Sequence, residues 1–415
     1  MENIAEILEI AKKCLNCKHK PCQNACPMKT RVPDFIAKVK EENFKEAYDI
    51  LLENNIFSNI CSTICPQEKQ CEGSCVRGIK GEPMPIGRLE KFVNEWAKEN
   101  EYTYKMKKIE KNSLKKVAII GSGPASISCA IELARRGIKS IILEKDKSFG
   151  GILRYGIPDF RLNKATIDNI IDTARDMGIE MKANVEFGKD IFLPKLQKEY
   201  DAIFLGIGAQ IPSIYKMSEE EYNSIYKSDY FLKRYNEGNY IKNLGITVVI
   251  GGGNVAMDCS RTAVKMGAEK VYVLYRRARE NMPARDREIE EAMEDGVEFN
   301  YLTKVVKAFG ENGNLTEIEC IKTVVEDGKA VDIEGSNFKL KVDTVVFAIG
   351  LTPNAKLLEE QGIELERGLA KINEDGMTNI DGVFAGGDVS ETKSSVCRAV
   401  AAGRKAAIGI EKYLK

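Results

Sequence analysis

The chain has 415 residues, and its 62 Lys and Arg equal its 62 Asp and Glu, so the net charge is zero. That balance argues against a general nucleic-acid binder or a basic membrane-surface protein. No apolar run approaches the ~18 residues of a membrane span, and a single histidine leaves little room for His-based triads or His-rich metal sites. At ~150 residues per domain the length suggests about three domains.

The opening segment MENIAEILEI predicts an acidic amphipathic helix with Ile4, Ile7, Leu8 and Ala11 on one face. It has no basic n-region and no cleavage site, so a signal peptide is not expected and the expected location is cytoplasmic. Residues 1–96 read as helical and loop-rich. Eight of the 12 cysteines fall between Cys14 and Cys75. Without a secretion signal, metal or redox chemistry is a better reading of them than a disulfide framework. The first group is Cys14-x2-Cys17-x4-Cys22-x3-Cys26-Pro27, the second Cys61-x3-Cys65-Pro66-x4-Cys71-x3-Cys75. Cubane clusters take four thiolates, and a cysteine before proline is the one that crosses to the other cluster in two-cluster ferredoxins. Eight cysteines therefore fit two 4Fe-4S clusters. Structural zinc is the competing reading, but zinc sites favour paired C-x2-C knuckles and only one such pair exists here. His19 reads as a loop residue. Cys129, Cys259, Cys320 and Cys397 are scattered and read as small buried apolar residues.

A charged stretch between Ala97 and Lys116 reads as a linker. From Lys116 the pattern changes to VAII, GSGPAS, a helix to Arg136, Gly137 and SIILE, which is a strand–Gly loop–helix–strand unit. Gly121, Gly123, Pro124 and Ala125 open its helix, where a pyrophosphate would meet backbone N–H groups. Ser126 stands where a third glycine is common. Glu144 ends the next strand, placed to accept from ribose hydroxyls, so this site suits FAD. The unit recurs at 247–276 with Gly251-Gly252-Gly253-Asn254. There the second strand ends in Arg276 and Arg277, which would pair with a 2′-phosphate and so favour NADP(H) over NAD(H). Hairpin signals follow at 311–314 and 326–329. The chain then returns through DTVVFAIG and DGVFAGGDV to a last helix, as expected of one domain inserted into another. Nothing supplies an amidotransferase or synthase barrel, and no second cysteine follows Cys129 or Cys259 at disulfide-reductase spacing.

GSGPA, GGILRYGIPDFRL (150–162), GGGNVAMD (251–258), RR-x4-MPAR (276–285) and AGGDV (385–389) together resemble the glutamate synthase small (beta) subunit family. The same module is found in the large subunit of the bifurcating ferredoxin–NADP transhydrogenase and in the N-terminal half of dihydropyrimidine dehydrogenase. The resemblance implies an α/β protein: a helical N-terminal iron–sulfur domain (1–105), then two Rossmann-like domains. The FAD domain would span 113–243 and 344–415, with the NADPH domain (244–343) inserted in it. Gly121, Gly123, Pro124, Ala125, Glu144, Gly151, Arg154, Arg161, Gly387 and Asp388 match FAD contacts. Gly252, Gly253, Asn254, Val255, Arg276 and Arg277 match the NADPH site. No role is derived for MPAR. By resemblance, Cys14, Cys17, Cys22 and Cys75 would hold one cluster. Cys26, Cys65, Cys71 and Glu90 would hold the other, leaving Cys61 a spectator; simple cysteine counting gives Cys61 that place instead. The implied activity is hydride transfer from NADPH to FAD, then single-electron release into the clusters and on to a partner, either a larger catalytic subunit or a ferredoxin-type acceptor. No acid–base catalytic residue, nucleic acid or membrane is expected. A transhydrogenase large subunit and a non-catalytic electron-transfer scaffold are the alternatives.

Overall fold

The computed structural model describes residues 2–104, 114–392 and 395–415. Residues 105–113 of the stretch read as a linker, and with them the boundaries at 105 and 113, lie outside the described residues. Contacts divide the chain into two compact units: Met1–Gly151, Arg161–Gly208 and Pro353–Lys415 form one, Ile152–Phe160 and Ala209–Thr352 the other. No helix among the described residues is long and apolar enough to cross a membrane.

The first unit opens with helices α1 (Ile4–Lys12), α2 (Pro21–Ala25), α3 (Val32–Lys40), α4 (Phe44–Asn54), α5 (Ser58–Ile64) and α6 (Ile86–Glu99). Side chains that cap orphan N–H groups set two of the starts. Asn3 Oδ1 accepts from Ala5 N at 2.9 Å, and Asn43 Oδ1 from Glu46 N at 3.2 Å. Ile7, Phe35, Leu51, Leu89 and Phe92 form the core of this region. The apolar face of α1 is narrower than its sequence suggests, since Ile7 and Ala11 are fully buried while Ile4 is 37% exposed.

The chain continues through β1 (Lys116–Ile120), α7 (Pro124–Arg135) and β2 (Lys139–Leu143). It crosses to the second unit for α8 (Ile152–Tyr155) and returns for α9 (Lys164–Asp176), β3 (Glu180–Lys182), α10 (Leu193–Glu199) and β4 (Ala202–Leu205). The second unit then runs through β5 (Ile211–Pro212), β6 (Ile225–Lys227), α11 (Ser228–Asn236), β7 (Ile246–Ile250), α12 (Asn254–Lys265), β8 (Lys270–Tyr275), α13 (Asp286–Glu294) and β9 (Glu298–Tyr301). An antiparallel sheet follows, made of β10 (Thr303–Glu311), β11 (Asn314–Glu326), β12 (Lys329–Asp332) and β13 (Phe338–Lys341). β14 (Thr344–Phe347) and β15 (Leu351–Thr352) close the unit. α14 (Ala355–Glu360), β16 (Leu365–Glu366), β17 (Leu369–Ala370), β18 (Val383–Ala385) and α15 (Val396–Tyr413) complete the first.

Each unit holds a five-stranded parallel sheet, ordered β18-β4-β1-β2-β3 in the first and β6-β14-β7-β8-β9 in the second. The β-branched runs of β1 and β7 are buried, as expected of parallel strands covered on both faces. In both sheets the glycine loop leaves the carboxyl end of the central strand, the place where the strand order reverses and ligands bind in such folds. Both predicted hairpins are two-residue turns with positive φ: Asn312 and Gly313 at 51° and 76°, Asp327 and Gly328 at 49° and 74°. The sequence reading opens the inserted domain at 244, whereas contacts open it at Ala209. The reason is pairing: β5 joins β15, and β6 joins β14, so 209–243 packs with the strands that follow. Residues 152–160 join the second unit through α11: Asn236 Nδ2 donates to Tyr155 O at 2.9 Å, and the Tyr235 hydroxyl to Asp159 at 3.2 Å.

Within the first unit the helical region is tied to the sheet-bearing part through the end of α4. Arg135 donates to the carbonyls of Leu52 (3.2 Å) and Glu53 (3.1 Å), and Arg404 to that of Asn54 (3.2 Å). Those carbonyls are the orphans of the last helical turn. The buried carboxylate of Glu132 sits among Arg135, Arg136 and Arg404, and Arg136 also pairs with Glu411.

Candidate functional site

The eight N-terminal cysteines fall into two sets. Cys14 and Cys22 line one small cavity with Cys17 and Cys75, walled by Val32, Ile36, Met84 and Ile86. The end of α1 places Cys14, α2 places Cys22, and Met84 N donates to Cys75 Sγ at 3.4 Å. Burial pushes the Cys22 thiol up to about 11, with Cys14 and Cys75 close enough to add to the rise. Leu15 and Ile79, beside this set, are 60% and 76% exposed.

The second set gathers around Glu90 on α6. Cys26 and Cys71 both feel the Glu90 carboxylate, and Cys26 also feels Cys61. Glu90 is 8% exposed. Its Oε1 accepts from the Ser58 hydroxyl at 2.7 Å, and Asn94 Nδ2 in turn donates to Ser58 Oγ at 2.9 Å. Among the described residues Glu90 has no cationic partner, and burial pushes its pKa up to about 7. A buried carboxylate without a cation is costly and is a fitting place for a metal group. Among the described residues no three His, Cys, Asp or Glu side chains converge closely enough to hold a single metal ion. The ligands of a four-iron cubane are spread over its iron atoms. Cys65, at the end of α5, is buried, and Cys397 and Cys61 help push its thiol well above the usual range; Cys397, from the far end of the chain, lies against Gln70, whose Nε2 donates to its Sγ at 3.2 Å. The sequence reading of Cys397 as a buried residue holds, but missed this contact. Ser58 and Asn94 were missed too, since neither residue type carries a signal at that spacing.

At the first glycine loop, Glu144 Oε2 accepts from Ser122 N at 2.8 Å and from Ser122 Oγ at 2.5 Å, while Oε1 accepts from Asp146 N at 2.8 Å. The carboxylate is thus fixed against the loop, with one lone-pair site of Oε1 left over. A Cβ on Gly123 would meet nothing within 4 Å, whereas one on Gly151 would lie 2.9 Å from Gly123 Cα. Gly151, at φ 52°, therefore walls the same loop and leaves open space beside Gly123 at the start of α7. Pro124 and Ala125 form its first turn, and Gly387 packs on Ala125. Ser126 replaces the third glycine because its hydroxyl turns toward Gly206 and donates to the Gly206 carbonyl at 3.4 Å. Asp388 follows Gly387 and is half-buried. Arg161 belongs to the first unit, whereas Arg154 stands on α8 in the second.

At the second loop, Gly252 is required by close approach, since a Cβ there would sit 2.4 Å from the Tyr275 ring. Gly253, Asn254 and Val255 lead into α12. The MPAR segment, for which the sequence offers no role, straps this loop: Ala284 N donates to Gly252 O at 3.1 Å and Arg285 N to Asn254 Oδ1 at 3.1 Å. Arg285 is also the N-cap of α13. Arg276 and Arg277 follow the carboxyl end of β8. Arg276 is exposed and makes no ion pair among the described residues. Arg277 donates to the Gly328 carbonyl at 3.4 Å, and its Nε has no partner.

Residues 115–406 match the family described as pyridine nucleotide-disulphide oxidoreductase, and residues 2–102 match that of dihydropyrimidine dehydrogenase domain II, 4Fe-4S cluster. The glutamate synthase (NADPH) small chain of Escherichia coli is 33% identical over 98% of this chain and 91% of its own length. That of Halomonas elongata is 35% identical over 97% and 90%. The beta subunit of the NADP(+)-dependent formate dehydrogenase of Moorella thermoacetica is 31% identical, over 95% of this chain and 60% of its own. Among solved structures, Mycobacterium tuberculosis FprA in complex with NADPH is similar in fold, with TM-score 0.63 at 19% identity over 72% of this chain and 84% of that one. The disulphide in the family's description finds no redox pair in Cys129 or Cys259, which are fully buried within single helices. The chain belongs to the pyridine nucleotide-disulphide oxidoreductase family and, along nearly its whole length, to that of the glutamate synthase small chains: it is an oxidoreductase with an iron–sulfur domain ahead of its dinucleotide-binding fold.

Proposed function

We propose that this chain passes electrons from NADPH through FAD to two 4Fe-4S clusters and on to a partner subunit. Hydride acceptance by the flavin and one-electron steps at the clusters are chemistry those groups supply when bound. The residues of the chain hold and orient them. Gly121, Gly123, Ala125 and Gly151 leave room for a pyrophosphate at the start of α7, and Glu144 offers its remaining lone pair to a ribose hydroxyl. Arg161, Gly387 and Asp388 belong to the same FAD set, which the resemblance extends to Arg154. Gly252, Gly253, Asn254 and Val255 receive the second pyrophosphate, and Arg276 with Arg277 receive the 2′-phosphate. In this reading 1–105 is the cluster domain, 113–243 with 344–415 the FAD domain and 244–343 the NADPH domain.

The observation that carries the reading is the separation of the cysteines into two sets, with the unpaired Glu90 carboxylate beside the second. Cys14, Cys17, Cys22 and Cys75 serve one cluster; Cys26, Cys65, Cys71 and Glu90 serve the other. The first set supports an exit to a partner, because Leu15 beside it is exposed, and Ile79, Lys13, Lys18 and Lys80, close in sequence to Cys14, Cys17 and Cys75, are exposed too. An acidic, single-electron-accepting face on a larger subunit fits that surface. The reading is tested by metal and acid-labile sulfide analysis of anaerobically purified protein. About eight of each per chain are expected; about two zincs and no sulfide would refute it.

A further inference from the structure

We propose that Thr323, on β11, is a positioning residue of the second dinucleotide site: its hydroxyl holds the backbone of Arg276 and so sets the two arginines that select a 2′-phosphate. The inference deepens the reading of Arg276 and Arg277 made above and rests on it. Neither the glycine pattern nor the resemblance gives the antiparallel sheet that carries Thr323 a part in nucleotide choice.

The pairing of β8 with β9 ends at Tyr275 and Tyr301, so Arg276 and Arg277 lie just beyond the parallel ladder. Their carbonyls are taken up instead by the antiparallel sheet and the turn that leads into it. Thr323 Oγ1 donates to Arg276 O at 2.7 Å, and Leu302 N donates to Arg277 O at 3.2 Å. Thr323 N in turn donates to Leu302 O at 3.0 Å. Thr323 therefore reaches the arginine segment twice, directly through its hydroxyl and again through Leu302. It is 2% exposed, and Leu302 stands at φ 51°, a left-handed conformation that a leucine adopts only at a cost. Thr323 is itself fixed, because it faces Asp332 of β12 while its neighbour Lys322 faces Thr303 of β10.

The arginines these bonds hold are not satisfied by the protein alone. Arg276 is exposed and makes no ion pair among the described residues. Arg277 has only the long bond from Nη1 to Gly328 O, at 3.4 Å, and its buried Nε has no partner. Gly328 belongs to the two-residue turn between β11 and β12, so the same hairpin holds Arg276 by its backbone and Arg277 by its side chain. A guanidinium offers its donors in a rigid planar fork, and its match to a phosphate depends on where the main chain aims it. Small misplacements of a binding group are costly, and loss of the Thr323 hydroxyl also leaves a carbonyl at the site without its donor.

The test compares variants of the full-length holoprotein by calorimetric binding of adenosine 2′,5′-bisphosphate and by steady-state reduction of a dye with NADPH and with NADH. Thr323→Val keeps the branched shape and removes the hydroxyl. It is expected to bind adenosine 2′,5′-bisphosphate about tenfold more weakly and to lose about tenfold in kcat/KM for NADPH through KM. Its kcat with NADPH and its kcat/KM for NADH should stay nearly unchanged. Thr323→Ser, which keeps the hydroxyl, should recover most of the loss. Should Thr323→Val fail to fold, Thr323→Ala is judged by the same criteria. Unmoved binding would overturn the inference alone. So would equal losses for NADPH and NADH, or a serine variant no better than the valine one, since either makes Thr323 merely structural. An unmodified protein that binds adenosine 2′,5′-bisphosphate no better than AMP would overturn the reading of the two arginines and the inference with it.

Discussion

In the proposed function Glu90 and Cys61 compete for one place, the fourth ligand of the second cluster. Cysteine counting favours Cys61; the surroundings favour Glu90. A carboxylate buried with one hydroxyl partner and a pKa pushed up to about 7 is destabilising to the metal-free chain and becomes favourable only beside a metal. Glu90→Ala is therefore expected to lose or degrade the second cluster, lowering iron by up to about half, while Cys61→Ala keeps both; iron analysis of the two variants decides. At the other cofactor site the two arginines are not equivalent. Arg276 is exposed, while Arg277 is partly engaged by the Gly328 carbonyl and stacks over Tyr275. A charge-assisted bond to a phosphate is worth roughly 1.5–3 kcal/mol. Arg276→Ala with Arg277→Ala should cut kcat/KM for NADPH by about one to two decades per arginine and leave that for NADH nearly unchanged. An equal loss for both nucleotides would make these arginines structural.

At the scale of elements, the parts written locally were legible and the parts made by distant residues were not. A β-branched run, a glycine loop and a helix lie next to one another in sequence, so both dinucleotide units and both two-residue hairpins could be read from it. Ser126 looked like a departure from the glycine pattern; its compensation, Gly206, is 80 residues away. Arg404 donates to a carbonyl at the end of α4 across 350 residues, and Cys397 meets Gln70 across 327; no spacing rule reaches that far. The same holds for residues 152–160, recognisable as a motif but assigned to the second unit only by their packing on α11. Two predictions belong here. Removing the carboxylate among three arginines, as in Glu132→Ala, should destabilise the first unit by about 2 kcal/mol, because Arg135 and Arg404 lose their carboxylate partner while Arg136 keeps Glu411; thermal melts of the protein measure this. Gly403→Ala should force α15 from α7 and weaken retention of FAD, read as the flavin-to-protein absorbance ratio after gel filtration.

For the whole molecule, two five-stranded parallel sheets, each with a glycine loop after its central strand, and a cysteine-bearing helical region are joined in one chain. That combination has a purpose only if a two-electron donor is coupled to one-electron carriers, and this coupling is the central claim. Anaerobic mixing of the purified chain with NADPH, followed by absorbance and by electron paramagnetic resonance of rapidly frozen samples, tests it most directly. The flavin band should bleach and signals of reduced clusters should appear in the same sample without any added mediator. A flavin that bleaches while fully loaded clusters stay oxidised, with a potential that NADPH can reach, would contradict the account, as would a chain that NADPH leaves unbleached.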